Sequence, residues 1–172
     1  PMFMTHADVP PTHPRLLSRL VLQAGLSEIT IHIDTTQRGR LGKAYRYAKH
    51  ESELMPLRDE FAQLIRDIRK ETGKALKVAM TITVTEHNLN GVAEIVRWCC
   101  KHSDIVTLLS FQPVAQVGRT LSDVDAGVNV ESLWDNIAAG IYGDEEQPDL
   151  LSHNGYLGHA DCTRFVQSLV IN

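Results

Sequence analysis

Short apolar runs rich in β-branched residues alternate along this chain with longer stretches whose apolar residues recur at helical spacing. Met2 to Thr5 reads as a short strand, and Ile29 to Ile33, Leu76 to Val84 and Ile105 to Phe111 read as longer ones. Between the first two, Leu16, Leu17, Leu20 and Val21 predict a helix over Pro14 to Ala24, with Pro14 in its first turn and Gly25 just past its end. Leu54, Leu57, Phe61, Leu64, Ile65 and Ile68 mark one face of a long helix closed by Gly73. A third helix carries Val92, Ile95, Val96 and Cys99, with Asn88 as its expected N-cap. Asn129 caps a fourth through about Ala139, with Leu133, Ile137 and Ala138 facing inward. Residues 143–161 are turn-rich, and Phe165 to Ile171 is a last candidate strand. The chain thus divides into βα units over 1–125 and a helix with an irregular extension over 126–172. Such alternation predicts an α/β fold, a parallel β-sheet with crossover helices. Near-continuous apolar strands fit a sheet buried on both faces.

Folds of this kind place their chemistry at the carboxyl ends of the strands, whether the sheet is open or a barrel. Four successive strand ends here are polar. They carry Thr5, His6 and Asp8; His32, Asp34, Thr36, Gln37 and Arg38; Thr83, Thr85, Glu86, His87 and Asn88; and Ser110, Gln112, Gln116 and Arg119. One polar strand end is ordinarily a helix cap or a turn. Four at one pole point to a shared polar site. His6, Asp8, His32, Asp34 and His87 are candidate ligands for a divalent metal, as in barrel hydrolases, since His-x-Asp on a strand places both side chains on one face. A histidine simply hydrogen-bonded to its neighbour is equally consistent with that spacing. There is no G-x-S-x-G elbow, P-loop or G-x-G-x-x-G in the chain.

Composition bounds the partners. The 172 residues carry a formal net charge of −4, with lysine and arginine dispersed, which argues against a dedicated nucleic-acid surface. No apolar run approaches the roughly 20 residues of a transmembrane helix, and no signal peptide is visible. Three cysteines, Cys99, Cys100 and Cys162, make no disulfide framework, so an intracellular, cytoplasmic location is the simplest expectation. Both ends lie close against apparent core segments, which leads us to expect a piece of a longer protein.

The order of these pieces resembles the radical S-adenosylmethionine (radical SAM) superfamily. "LQAGLSEITIHID" is similar to that family's fourth strand, "TITVTEHNLNGVAEIVRWC" to its fifth with the following helix, and "SDIVTLLSFQPVAQVGR" to its sixth, whose end commonly carries P...GR. "MFMTHADVP" takes the place of the third strand. The likeness covers about residues 1–120, and "SFQP" with the later "GHADC" resembles tetraether-lipid-synthase-like members. It implies part of a (βα)6 partial TIM-like barrel. It also implies S-adenosylmethionine and a 4Fe–4S cluster as cofactors, a small-molecule or lipid-like substrate, and a reductant protein such as flavodoxin or ferredoxin. Carried over by position, His32, Asp34, Thr85, Asn88, Phe111, Gln112 and Pro113 contact the cofactor, while Thr5, His6, Gln37 and Arg38 face the substrate.

The family's C-x-x-x-C-x-x-C and GGEP motifs are absent. The resemblance therefore implies that the cluster ligands lie upstream of Pro1. Adjacent Cys99 and Cys100 cannot replace them, because neighbouring helical residues point apart. Cys162, in "GHADC" with His159, is a candidate ligand for an auxiliary cluster; the alternative is a buried structural thiol. Three functions stay open on these residues: a radical SAM enzyme portion, a metal-dependent barrel hydrolase, or a non-catalytic α/β binding module.

Overall fold

The computed structural model describes residues 1–5, 14–37, 44–114, 128–143, 155–156, 163–167 and 170. Strands β1 (Met2–Thr5), β2 (Glu28–His32), β3 (Lys77–Val84) and β4 (Val106–Pro113) form one sheet in the order β1-β2-β3-β4. Every pair in it is parallel. The crossover helices are α1 (Pro14–Gln23), α2 (Met55–Thr72) and α3 (Val92–Lys101), and α4 (Val130–Tyr142) follows β4. Each strand is laid beside its predecessor in the same direction. With right-handed crossovers, that order puts every crossover helix on one face of the sheet.

The core shows the same arrangement. Ile29, Ile31, Val78, Met80 and Ile82 belong to one apolar cluster with Leu17 and Val21 of α1, Phe61 and Ile65 of α2, Ile95 and Val96 of α3, and Leu133 of α4. These strand residues alternate with Thr30, Ala79, Thr81 and Thr83, which face the other way. Both outer strands are exposed on that second face, at Met2 (61%), Met4 (69%) and Leu108 (56%). Among the described residues one face carries the apolar cluster; on the other, Thr30 and Ala79 at the centre are buried while the outer strands are exposed.

The helix ends follow from local chemistry. Gly73 closes α2 at φ +65°, a left-handed conformation that glycine adopts without penalty, and its N–H returns to Arg69 O. Asn129 caps α4 by accepting from Ser132 N at 2.8 Å. Helix α4 packs closely on α3 through Gly140, where a Cβ would lie 2.5 Å from Val96 Cβ and 2.8 Å from Ala93 O. Arg164–Phe165, which overlaps the expected last strand only at Phe165, pairs antiparallel with Gly155–Tyr156 in a separate ribbon. Among the described residues no helix is long and apolar enough to cross a membrane.

Candidate functional site

Register brings the polar strand ends together. His32 lies opposite Thr81, Thr81 opposite Ser110, and Thr83 opposite Gln112, all toward the carboxyl ends of their strands. One level below, Met4, Thr30, Ala79 and Leu108 form the corresponding row. The face that none of the described helices covers therefore runs from apolar and small residues to hydrogen-bonding ones along the strand direction.

His32, the last residue of β2, anchors the polar end. Its Nε2 lies 2.8 Å from Asp34 Oδ2 and 3.1 Å from Thr83 Oγ1. Both of these contacts use the same ring nitrogen. Asp34 is wholly buried. Its Oδ2 also accepts from Thr83 N at 2.8 Å, and its Oδ1 accepts from the Thr36 N–H at 2.9 Å and the Thr36 hydroxyl. Burial pushes the Asp34 carboxyl up, but the hydrogen bonds from His32, Thr36 and Thr83 outweigh it and hold the group below the usual aspartate value. Both oxygens being engaged, Asp34 orients its neighbours and offers no lone pair toward the open face.

A second carboxylate lies behind the first. Glu51 and Arg58 are buried and paired. Glu51 Oε1 accepts from Thr35 N, from the Thr35 hydroxyl and from Asn88 Nδ2 at 2.9, 2.9 and 3.0 Å. Arg58 donates to Ile33 O at 2.9 Å and Glu51 O at 3.0 Å; its Nε finds no partner among the described residues. Asn88 also donates to Thr83 O at 2.9 Å and accepts from Thr85 N at 2.8 Å. A continuous network thus runs from Arg58 through Glu51, Asn88, Thr83 and Asp34 to His32, tying the end of β2 to the end of β3. Gly91 makes room for it, since a Cβ there would lie 2.6 Å from Glu51 Cβ.

The expected residues sort as follows. His32, Asp34, Thr85 and Asn88 share the network. Asn88 does not cap α3 as expected: its side chain turns back to Thr85, and a short 3-10 turn, Leu89–Gly91, leads into the helix. Gln37 ends a 3-10 turn, and its N–H returns to Asp34 O. Phe111 packs against the core, away from the polar row, while Gln112 and Pro113 are exposed at the end of β4. Thr5 ends β1 beside Ile31. His6, Arg38 and Cys162 lie outside the described residues, as do Asp8, Gln116, Arg119 and His159.

Sequence reasoning missed Thr35, Glu51, Arg58 and Gly91. Only Arg58 carried a signal: it falls within the apolar face of α2, between Leu54 and Phe61 at helical spacing. Among the described residues no three histidine, cysteine, aspartate or glutamate side chains come together to hold a metal ion. Cys99 packs against Met80 inside the core, where burial pushes its thiol up to about 12. No protein-family model matches this chain, and neither does a curated protein or a solved structure.

Proposed function

We propose that this chain supplies later βα units of a radical SAM enzyme, forming part of its (βα)6 partial barrel. Its polar strand ends would hold S-adenosylmethionine and substrate. The observation that carries this reading is the stepwise parallel order β1-β2-β3-β4, with the helices on one face and a hydrogen-bonding row at the carboxyl end of the other. This supports the reading because a barrel wall would have the same order, with ligands above its strand ends.

The described residues fit the nucleoside and amino-acid parts of the cofactor in kind. His32, Thr81, Ser110 and Gln112 offer donors and acceptors on the open face, and each is at least partly exposed. His32 is the contact residue, and Asp34 acts through it. The described cysteines do not fit the cluster: Cys99 is buried and lies on α3, behind the sheet. Cluster ligands would come from outside this chain, as would the reductant protein. When bound to a reduced 4Fe–4S cluster, S-adenosylmethionine supplies radical chemistry through reductive cleavage of a sulfonium bond. This chain's residues would bind and orient it and keep the strand-end geometry fixed.

The coding sequence in frame before Pro1 is the first test, and C-x-x-x-C-x-x-C is the expected finding; a stop codon or an unrelated domain there overturns the proposal. The second test uses the anaerobically reconstituted longer protein, which should release methionine from S-adenosylmethionine under reduction. His32→Ala should weaken cofactor binding about tenfold, equivalent to ~1.4 kcal/mol, and should cost about 1–3 kcal/mol of stability because buried Asp34 loses a donor.

A further inference from the structure

Away from the polar row, where the chain turns into β4, one buried histidine joins three elements. His102 is 7% exposed and stacks on Trp98 of α3, with ring centroids 4.2 Å apart and planes 27° apart. Its Nδ1 lies 2.9 Å from Arg66 Nη2 of α2. A guanidinium only donates, so this nitrogen is an acceptor and the ring is neutral, with its proton on Nε2. Nε2 sits 3.4 Å from Asp59 Oδ1 and makes no hydrogen bond among the described residues, while that carboxylate oxygen takes the Trp98 indole N–H at 2.7 Å. Arg66 also forks onto Asp104 at 2.9 and 2.7 Å. Arg69 donates to Asp104 O at 2.6 Å and to Leu76 O at 2.9 Å. The His102 backbone N–H returns to Trp98 O and Cys99 O, and its carbonyl accepts from Ile105 N and Val106 N at the start of β4.

We propose that His102 is a proton-operated latch: when its Nδ1 takes a proton, two donors face each other, the Arg66–His102 contact breaks, and the turn 102–105 loosens on α2, to which Arg66 and Arg69 then hold it through Asp104 alone. The charged groups facing the ring are Arg66 and Asp59 from α2, Lys101 at the end of α3, and Asp104 from the turn. Burial first, and Arg66 next, hold the latched imidazole below the ordinary histidine value; Asp59 opposes them and does not win. The open ring therefore binds a proton more tightly than the latched one. The latch is fully closed above the ordinary histidine range and weakens as pH falls beneath it.

Trp98 gives the readout, in a Trp134→Phe background so that one indole reports. Its emission should hold steady from pH 8 down through the ordinary histidine range and change only below it, in step with the His102 ring signals by NMR. Arg66→Met should move that midpoint upward. Amide protection factors over 102–106 should fall by up to about tenfold per pH unit below the ordinary range, the slope of one proton taken up on opening. His102→Gln, whose side-chain oxygen still accepts from Arg66, should flatten both profiles. An ordinary histidine midpoint in the wild type, unmoved by Arg66→Met, overturns the latch, as does pH-independent protection over 102–106 in the wild type. The wild-type titration decides even if a variant fails to fold.

Discussion

Arg58 and Glu51 are two charges with no access to water, each given partners on the other and on the backbone. Such a pair gains little over an apolar pair of the same size, but breaking it is costly because one charge stays buried. Arg58→Met should destabilise the fold by about 3–5 kcal/mol in urea titration. Adding Glu51→Gln, which still accepts from Thr35 and Asn88, should recover part of that loss. Asp34 allows a separate test. Asn in its place has one acceptor oxygen, so the amide of Thr36 or Thr83 loses its partner, at a cost of about 1–3 kcal/mol. The native carboxyl titrates below its usual value. Its contribution is therefore complete above about pH 4 and is lost as pH falls through the lower folded value. Asp34→Asn should remove that part of the acid limb in urea midpoints measured from pH 7 to pH 2.

At the scale of the element, β3 is central and β4 lies at the edge, and their apolar residues have unequal weight. Ile82 is fully buried in the core, whereas Leu108 is 56% exposed on the face that none of the described helices covers. Ile82→Ala should cost about 2–5 kcal/mol. Leu108→Ala should stay within about 0.5 kcal/mol. Thermal unfolding of the two variants beside the wild type checks the contrast. The sequence shows both residues in apolar strand runs and does not separate them. Helix ends were more legible: Gly73 and Asn129 act where expected, because a cap depends on a few neighbouring residues. Asn88 departs from its expected role because its capping oxygen accepts from Thr85 N while its amide N–H groups are held by Thr83 O and Glu51, and Glu51 is not visible from the residues beside it.

For the molecule as a whole, the sheet has two outer edges. Among the described residues β1 pairs only with β2, and β4 only with β3. Exposed Met2, Met4 and Leu108 lie on the face between them. Unpaired edges beside exposed apolar side chains are templates for association. Sedimentation velocity should show mass rising with concentration, and Met4→Lys with Leu108→Lys should return the chain to a monomer. A wild-type monomer at every concentration would count against this expectation.

What the sequence determined by itself was the alternation of strand and helix, the parallel sheet that follows from it, and the pole where polar side chains gather. Periodicity records which face of an element is buried, and that information is local. The tertiary structure alone decided which sheet face the described helices cover, and it decided what each polar group does. Asp34 became a support once Thr83, 49 residues away, supplied an amide to one of its oxygens. Glu51 joined the network once Asn88 arrived from 37 residues away and Gly91 left space for it. A carboxylate's role depends on which donors consume its lone pairs, and folding brings those donors from distant parts of the chain.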